Sequence, residues 1–524
     1  MRSTWLPFWS ATKSARAKTK PFPKTTGTGF PMTAGTTFPA GTAKTKRAGT
    51  TIRPLTKTVT CALSTKNIPN LQSLKIPMKS LPVTPFSPAA DRTIEISVPG
   101  SKSITNRAMI LAALRAGTTR LSNALFSEDT RAMIACLQKL GFKIDADETA
   151  RTIRICGCGG KIPAPSAELF VATAGTAARF LTAFLALAPQ GSYRLDGSEV
   201  MRRRPMKGLL DALEKLGCRF TFHGEAGFFP FTMTTGGVPA GTAIAVDASA
   251  SSQILSALMM IAPMRALKIS LTGTTVSKPF LEMTTTMIGQ FGGKIAGSAG
   301  GYVSDGGGYA SGDFDYAIEP DATAASYFAV RAIAGGRIFV RGLCRESIQG
   351  DTRFFDLLEQ HDFVRREISA AGTLFLPGKS LKGASLALDF NAISDTFLSL
   401  AAFVPVTGAR VTINGIAHTR LQESDRVHAM ATELAKIVGA QNIVETEDSL
   451  TIAAPQDLAG TLAKATLPIA VDTYCDHRIA MSFGMLGSVD LLGNARPWLV
   501  VNDPGCCAKT FPDFFEVLAK MGAR

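Results

Sequence analysis

Hydrophobic residues recur at helical spacing in twelve segments, which form six similar pairs. The first predicted helix of each pair follows a turn of small or polar residues; these helices begin near Gly100, Thr173, Ser251, Asp321, Ser394 and Asp476. The second predicted helices begin at Asp129, Pro205, Pro279, Asp351, Asp425 and Pro512. Both series advance by roughly 70 to 85 residues, which is longer than a solenoid repeat, so each repeat is predicted to be a small α/β module.

Short segments in which apolar and polar residues alternate lie between the helices; they begin at Thr93, Thr152, Ala243, Lys268, Arg337 and Arg410. This alternation predicts half-buried strands with one face on helices and the other toward solvent. Six repeats divide naturally into two groups of three, with the change near residues 316–320. The sequence therefore predicts an α/β protein of two domains with a cleft between them, the usual place for a small-molecule site.

Charged or hydroxyl residues stand where the first helices open: Lys102, Thr176, Ser252, Asp395 and Arg478. A helix N-terminus has unpaired N–H groups and a partial positive charge. Several such termini facing one cleft favour an anionic ligand.

The net charge of +15 comes from the N-terminal part of the chain. Of the 56 lysines and arginines, 14 precede Asp91, the first acidic residue, so 42 remain beside 41 acidic residues. The nearly neutral remainder argues against a track for a nucleic-acid backbone, and no nucleic-acid partner is expected. Residues 1–77 are rich in Thr, Pro, Gly and Lys and are predicted to be a disordered basic extension.

Two interpretations of this extension stay open. An acid-free, hydroxyl-rich basic N-terminus is typical of an organelle transit peptide, which would place the protein in a plastid. Alternatively, translation starts at Met78, just before the first repeat, and the protein is cytoplasmic. The second interpretation is favoured because the extension is rich in Thr rather than Ser.

Two further classes of feature are not expected. The sequence has no apolar run of 18 residues, so no transmembrane helix and no membrane partner are predicted. The nine cysteines show no zinc-site spacing and are predicted to be reduced, buried thiols, without a metal site.

Seven local sequences carry a resemblance to a known family. They are PGSKSITNR from Pro99, AGTAAR from Ala174, MRRRP from Met201, SSQ from Ser251, ESDR from Glu423, DHR from Asp476 and AKTFPD from Ala508. In this order, on a frame of six repeats, they resemble the 5-enolpyruvylshikimate-3-phosphate synthases over nearly all of the chain after residue 98.

The resemblance implies a fold of two domains, each of three βαβαββ repeats, in an inside-out α/β barrel with the active site in the interdomain cleft. Residues 78–100 plus 318–524 would form the first domain, and residues 101–317 the second. The implied reaction transfers the enolpyruvyl group of phosphoenolpyruvate to the 5-hydroxyl of shikimate 3-phosphate and releases phosphate, without metal or organic cofactor. A monomer and inhibition by glyphosate in the phosphoenolpyruvate pocket are also expected.

Both substrates carry a phosphate and a carboxylate, so such a cleft needs several fixed cations, preferably arginines. The phosphoenolpyruvate residues implied by the resemblance are Lys102, Gly175, Arg204, Gln253, Arg426, Arg478 and Lys509. Those implied for shikimate 3-phosphate are Lys102, Ser103, Arg107, Ser251, Ser252, Gln253, Ser277, Asp395 and Gln422. Most of these residues, taken singly, are more simply read as solvated charges or helix caps.

Proton transfer is assigned to two carboxylates with Lys102 nearby. Asp395 is the expected base for the 5-hydroxyl, and Glu423 the expected acid and base at the methylene carbon; the reverse assignment stays open. His477 either orients the site or is a core histidine. The sequence departs from the family pattern at Thr173, Phe280, His418 and Gln422, which affects the expected shikimate-phosphate contacts.

Three other functions agree less well with the sequence. The UDP-N-acetylglucosamine enolpyruvyl transferases share the fold, but they typically carry a cysteine in the loop that here reads SEVMRRRP from Ser198. A relation to RNA 3′-phosphate cyclases is disfavoured because the five histidines lie in no matching motif. A non-catalytic relative is disfavoured because the expected charged residues are present except at Gln422.

Overall fold

The structure is a computed structural model, and it describes residues 80–88, 91–247, 251–273, 278–298 and 300–523. The predicted extension, the start at Met78 and the ligand residue Ser277 lie outside these residues. Among the described residues, no helix combines the length and apolar character needed to cross a membrane.

Twenty-three strands are present in the described residues. They are β1 (Ser80–Pro82), β2 (Thr93–Ile96), β3 (Ala116–Ser122), β4 (Lys143–Asp147), β5 (Thr152–Cys158), β6 (Ser166–Phe170), β7 (Gly191–Asp196), β8 (Arg219–Phe222), β9 (Phe231–Thr235), β10 (Ala243–Asp247), β11 (Lys268–Thr272), β12 (Ala296–Ser298), β13 (Gly301–Val303), β14 (Phe314–Ala317), β15 (Arg337–Arg341), β16 (Val364–Ser369), β17 (Gly372–Pro377), β18 (Ser385–Asp389), β19 (Arg410–Asn414), β20 (Ile443–Glu445), β21 (Ser449–Ala453), β22 (Ile469–Val471) and β23 (Leu499–Asn502).

Fourteen α-helices accompany the strands in the same residues. They are α1 (Lys102–Leu114), α2 (Glu128–Lys139), α3 (Gly175–Leu185), α4 (Glu199–Arg202), α5 (Lys207–Lys215), α6 (Ser252–Arg265), α7 (Lys278–Gln290), α8 (Ala322–Arg331), α9 (Arg353–Gln360), α10 (Phe397–Phe403), α11 (Arg426–Val438), α12 (Leu458–Ala463), α13 (His477–Gly487) and α14 (Phe514–Ala523). The count of twelve was therefore too low, because α4 and α12 are too short to show helical periodicity.

The strands form six small sheets. Five have four strands, in the orders β14-β3-β5-β4, β6-β7-β9-β8, β10-β11-β13-β12, β16-β17-β15-β2 and β18-β19-β21-β20, and the sixth is β1-β23-β22. In β6-β7-β9-β8 the first pair is parallel and the other two pairs are antiparallel. With α3 and α5 between its strands, this unit reads βαβαββ. The α/β fold class is confirmed.

Two of the sheets contain a strand from a distant part of the chain. Strand β2 pairs in parallel with β15, although more than 200 residues separate them, while β14 pairs in parallel with β3. The chain therefore passes twice between two groups of three sheets. The two passages contact each other: Ser101 N donates to Glu319 O at 2.8 Å, and Asp321 N donates to Pro99 O at 2.9 Å.

The buried hydrophobic side chains form two clusters. The first core contains residues between Ile104 and Ile318, and the second contains Val83 to Val98 together with Ala322 to Met521. The helices that open each repeat are almost entirely buried; in α13 every residue is buried. Their apolar surface all round is what a helix at the centre of a domain requires. The domain boundaries drawn from the sequence stay a prediction.

The cysteine prediction needs a correction. Of the eight described cysteines, which are thiols, Cys156 and Cys475 are exposed, and only Cys136, Cys218 and Cys507 are buried. Strand alternation explains part of this difference, since Cys156 points to the solvent face of β5, whose buried positions are Ile153 and Ile155.

Candidate active site

A cleft of about 640 Å³ opens between residues of the first and the second core. From the first core it is lined by Lys102, Ser103, Arg107, Thr176, Arg179, Val200, Arg203, Arg204, Pro205, Ser251, Ser252, Gln253 and Phe280, and from the second by Ser394, Asp395, His418, Leu421, Gln422, Glu423, Arg426 and Arg478. Most of the predicted ligand residues therefore meet in one place.

Arg426 contacts several polar side chains on the side of the cleft that belongs to the second core. It is the first residue of α11 and only 1% exposed. Its guanidinium donates to Asp476 Oδ2 at 2.8 Å, to Glu423 Oε2 at 2.8 Å and to Asp395 Oδ1 at 3.1 Å. It also donates to Gln422 Oε1. A buried guanidinium needs such partners, since an unpaired charge in the interior is costly.

The two carboxylates assigned to proton transfer are each held by two cations. Asp395 Oδ2 accepts from Arg478 at 2.6 Å, in addition to its contact with Arg426. Burial opposes ionisation of Asp395, but Arg478 and Arg426 outweigh it and lower its pKa. Glu423 Oε1 accepts from Lys509 Nζ at 2.9 Å. Burial opposes ionisation of Glu423 too, yet Lys509 and Arg426 bring its pKa well below the usual value.

Lys102 lies at the junction of the two cores, directly after the crossing at residues 99–101. Its backbone N–H donates to Asp321 Oδ2 at 3.1 Å, and Asp321 Oδ1 also accepts from Ala324 N at 2.8 Å. One carboxylate thus caps α1 of the first core and α8 of the second. The ammonium group of Lys102 is 3.4 Å from Asp129 Oδ2, an aspartate that is almost fully buried.

Arg107 is a buried cation. It donates to Thr284 Oγ1 at 2.8 Å and to Ser256 Oγ at 2.9 Å. Its guanidinium also stands over the ring of Phe280, 5.8 Å from the centroid. No carboxylate pairs with it among the described residues, and burial lowers its pKa to about 9. It therefore carries a positive charge at neutral pH that an anionic ligand would stabilise.

Gly175, the first residue of α3, lies against two arginines. A β-carbon added there would be 2.7 Å from Arg204 Nη1 and 3.0 Å from Arg179 Nη1. Arg179 donates to Gly175 O at 3.0 Å, to Gln253 Oε1 at 3.2 Å and to Pro205 O at 3.0 Å. Its pKa is lowered to about 9, first by burial and then by Arg204.

Three remaining predicted residues lie at helix starts. Ser251 is the N-cap of α6 and accepts from Gln253 N at 3.2 Å, and Ser252 is the first residue of that helix. Ser103 lines the cleft beside Lys102. Asp395 differs from the expectation, since it lies in a 3₁₀ segment, Asn391–Thr396, ahead of α10 rather than at the opening of the α-helix.

The positions that depart from the family pattern have defined contacts. His418 Nε2 lies 2.8 Å from Ser394 Oγ, and burial lowers the pKa of this histidine. Gln422 contacts Arg426 as an uncharged partner. Phe280 places an apolar ring beside Arg107. Thr173 is partly buried in the turn before α3, whose N-cap residue, Ala174, supplies no side-chain cap.

His477 is enclosed at the start of α13, 1% exposed. Neither ring nitrogen makes a hydrogen bond to the described residues, and Nδ1 is 3.6 Å from Asp476 Oδ1. Burial, followed by the charges of Arg478 and Lys102, brings its pKa well below the usual value. The imidazole is therefore neutral at physiological pH.

Arg179, Asp129 and Asp476 belong to the site, although they were not predicted as site residues. Arg179 follows Gly175 by four residues, which places both on one face of α3. Asp129 pairs with Lys102 and Asp476 with Arg426, and such pairing offsets the cost of burying a cation. The pattern of charges at helix starts was a signal for Asp476 and Asp129, since both stand within the first turn or cap of a helix.

The arrangement combines fixed guanidinium and ammonium groups with two carboxylates at one cleft. Guanidinium groups bind phosphate and carboxylate in bidentate geometry. Carboxylates held within reach of such an anion can take and return protons. The cleft is thus suited to a reaction between anionic small molecules that requires proton transfer.

Comparison with known proteins identifies the family. Residues 88–518 match the family model of EPSP synthase (3-phosphoshikimate 1-carboxyvinyltransferase). The chain belongs to this family. A 3-phosphoshikimate 1-carboxyvinyltransferase of Opitutus terrae is 45% identical over 448 residues, which cover 84% of this chain and 97% of that protein. Its counterpart in Nostoc punctiforme is 39% identical over 454 residues, covering 86% and 99%.

Solved structures agree on the fold. An EPSP synthase from Acinetobacter baumannii is similar with a TM-score of 0.67 and 23% identity, covering 85% of this chain and 98% of its own. The enolpyruvyl transferase NikO from Streptomyces tendae is similar with a TM-score of 0.61 at 14% identity, covering 84% and 97%. Both similarities concern the fold, and the resemblance found in the sequence is confirmed by the family match.

Proposed function

We propose that this family member transfers the enolpyruvyl group of phosphoenolpyruvate to the 5-hydroxyl of shikimate 3-phosphate, with release of phosphate, as a step of the shikimate pathway of aromatic amino-acid biosynthesis. The observation that carries the proposal is the meeting of Asp395 and Glu423 with Lys102, Arg426 and Arg478 in one cleft. The names of the relatives support the same reaction.

Phosphoenolpyruvate is assigned to the most cationic part of the cleft. Its proposed ligands are Lys102, Gly175, Arg204, Gln253, Arg426, Arg478 and Lys509. Gly175 contributes by having no side chain, since Arg204 and Arg179 occupy the space that a methyl group would need. Gln253 is oriented by Arg179, which leaves its amide nitrogen for the ligand.

Shikimate 3-phosphate is assigned to the side of the cleft next to Arg107. Its proposed ligands are Lys102, Ser103, Arg107, Ser251, Ser252, Gln253, Ser277, Asp395 and Gln422. The N-terminus of α6, where Ser251 and Ser252 stand, offers hydroxyl and backbone donors to a phosphate. Arg107 supplies the cation that has no carboxylate partner among the described residues.

The chemistry needs two proton transfers. Asp395 accepts the proton of the 5-hydroxyl while that oxygen bonds to C2 of phosphoenolpyruvate, and the methylene carbon gains a proton to become a methyl group. The C–O bond to phosphate then breaks, and the methyl group returns a proton to restore the double bond. Glu423 is assigned to the carbon, because it lies between Lys509 and Arg426.

The cations next to Glu423 determine when this residue can donate a proton. In the free protein Lys509 and Arg426 hold Glu423 as a carboxylate, a form that cannot donate a proton. When the anionic substrate binds these cations, their hold on Glu423 weakens and its pKa rises. Substrate binding thereby prepares Glu423 for general acid–base catalysis.

One assay tests this function. Phosphate release from phosphoenolpyruvate is measured with shikimate 3-phosphate and, separately, with UDP-N-acetylglucosamine as acceptor. The proposal requires release with the first acceptor and none above background with the second. Release only with the sugar nucleotide would assign the chain to the other enolpyruvyl transferases.

A further inference from the structure

A small second chamber lies next to the cleft. Its volume is about 30 Å³, and it shares Lys102, Ser103, Phe280, Asp395 and Arg478 with the cleft. Its other polar lining residues are Ser101, Asp321, Thr323, Tyr327, Gln349, Asp351 and Thr510. The chamber thus extends from the proposed base, Asp395, to a carboxyl group that the mechanism does not use, that of Asp351.

Asp351 is the middle residue of a 3₁₀ turn, Gly350–Thr352, just before α9. Its Oδ2 accepts a hydrogen bond from Thr323 Oγ1. Burial and the neighbouring charge of Asp395 raise its pKa to about 7, against the opposing effects of Thr323 and Arg478. A carboxyl group with this pKa gains and loses a proton in the range where general acid–base groups are most effective.

Tyr327 gives an independent sign that a ligand fits the chamber. It is fully buried, and its hydroxyl lies close to the Arg478 guanidinium but makes no hydrogen bond of standard geometry to the described residues. Nε of Arg478, which also lines the chamber, is likewise without a partner there. A buried water needs about 10–15 Å³ of such volume and two to four polar partners. The chamber provides both.

We propose that the chamber binds a water between Tyr327 and Asp351, and that Asp351 exchanges a proton with Asp395 through this water. Asp351 is then a positioning residue that returns Asp395 to its carboxylate form after Asp395 has taken the substrate's proton. This inference rests on the proposed function, because it needs Asp395 to act as the base for the hydroxyl.

The proton exchange conserves atoms and charge. Asp395 passes the proton received from the 5-hydroxyl to the water, and the water gives one of its other protons to the Asp351 carboxylate. The water is regenerated, Asp395 is again an anion, and no electrons are transferred. As phosphate departs, the proton returns from Asp351 through the water to Asp395, and Asp395 donates it to the phosphate, so that both carboxyl groups are ionised at the start of the next turnover.

The charged groups around Asp351 come from four of the elements that line the chamber, whereas the lining residues of α7 are uncharged. Asp321 is on α8's N-cap, Lys102 on α1, Asp395 on the 3₁₀ segment before α10 and Arg478 on α13. Asp321 and Asp395 favour the protonated form of Asp351, whereas Arg478 favours the ionised form. The ionised form is the acceptor, so the rate should fall as the pH drops through about 7.

The first test is the pH profile of kcat for Asp351→Asn. Asparagine keeps the size of the side chain and an oxygen for Thr323, but it cannot take a proton. We expect kcat to fall by about tenfold or more, since Asp351 supplies part of the general acid–base catalysis. KM values for both substrates should stay within about twofold, and the decline near pH 7 should disappear. Asp356→Asn is the matched control on α9, where Asp356 is exposed and binds Arg366.

A purely structural role predicts a different result: Asp351→Asn would then keep the wild-type kcat and its pH profile, and the inference would be wrong. Tyr327→Phe tests the water site without changing a charge. It should lower kcat at least about threefold, because it removes one ligand of a relay that contributes to acid–base catalysis. An unchanged kcat in this variant would also overturn the inference.

Melting temperatures separate this inference from the proposed function. The folded-state pKa of Asp351 is raised above the unfolded value of about 3.9, so its contribution to stability is present at low pH and is lost as the pH rises toward 7. The wild type should therefore lose melting temperature relative to Asp351→Asn between about pH 4 and 7. A constant difference would overturn the inference, even if the wild type were inactive and the proposed function had failed.

Discussion

Arg478 donates a hydrogen bond of 2.6 Å to Asp395, which joins a proposed substrate ligand to the proposed base. Arg426 contacts the other oxygen of the same carboxylate at 3.1 Å. In the free protein these two arginines are therefore neutralised by Asp395, as well as by Glu423 and Asp476. An anionic substrate must compete with the site's own carboxylates for the same cations, and its binding changes the protonation of those carboxylates.

This competition predicts the behaviour of Asp395→Asn. Turnover should fall by about 10² to 10⁴, the usual contribution of a general base. Phosphoenolpyruvate should bind at least as tightly as in the wild type, because Arg478 and Arg426 no longer pair with a carboxylate. Steady-state kinetics and equilibrium binding measure the two effects. A variant with normal kcat and a raised KM would show that Asp395 only holds substrate.

Arg426→Lys should show the opposite kinetic signature. Lysine keeps the charge but cannot make the fork of hydrogen bonds to Asp476, Glu423 and Asp395. Loss of a charge-assisted bond costs about 1.5 to 3 kcal/mol, so the KM for phosphoenolpyruvate should rise by roughly tenfold to a hundredfold. The melting temperature should fall as well. Arg131→Lys is a suitable control, since Arg131 forms an exposed pair with Glu148.

Glu423→Gln should change stability with a pH dependence of the opposite sign to that of Asp351. The folded-state pKa of Glu423 is well below the unfolded value of about 4.3. Its contribution is therefore present above that value and is lost as the pH falls through the folded pKa. The wild type should melt above the variant at pH 6, and the difference should shrink below about pH 4. A difference that stays constant from pH 6 to pH 3 would mean that Glu423 is not held as a carboxylate.

The sequence revealed the helix starts and the strands because their signals are local. Buried and exposed positions alternate in β2 and β10 as expected. It did not reveal the chamber, since Asp351 and Asp395 belong to different repeats and line the same chamber only after the repeats pack together. It also missed α4 and α12, which are four and six residues long, shorter than two helical turns. Arg179 was missed because its partners, Gln253 and Pro205, are brought to it by tertiary structure.

Residues 1–77 should be dispensable. A chain beginning at Met78 keeps β1, which pairs with β23. It should match the full chain in melting temperature and turnover. A chain beginning at Asp91 is the informative comparison, since it loses β1 and Phe86, whose carbonyl accepts a hydrogen bond from the buried Arg331 at 3.0 Å. It should melt lower. Equal loss in both truncated chains would show that the extension itself stabilises the protein.

Gly175→Ala should separate phosphoenolpyruvate from glyphosate, the inhibitor that the family resemblance places in the same pocket. The added methyl group would lie 2.7 Å from Arg204 Nη1, so the guanidinium must shift to make room for it. That atom is at the end of a flexible side chain, and the shift is tolerable for the planar substrate. The bulkier zwitterion should clash more, a case of specificity through an added steric penalty.

We therefore expect weaker glyphosate inhibition of Gly175→Ala, with a smaller rise in the KM for phosphoenolpyruvate. Gly289→Ala is the matched control, because Gly289 is also helical and an added β-carbon there meets nothing within 4 Å. It should keep the wild-type inhibition constant. The decisive measurement is the ratio of the glyphosate inhibition constant to the KM for phosphoenolpyruvate. A displaced Arg204 alone would raise both constants together and leave this ratio unchanged. If the ratio is unchanged, the methyl group acts only through Arg204, and Gly175 does not discriminate between the two ligands.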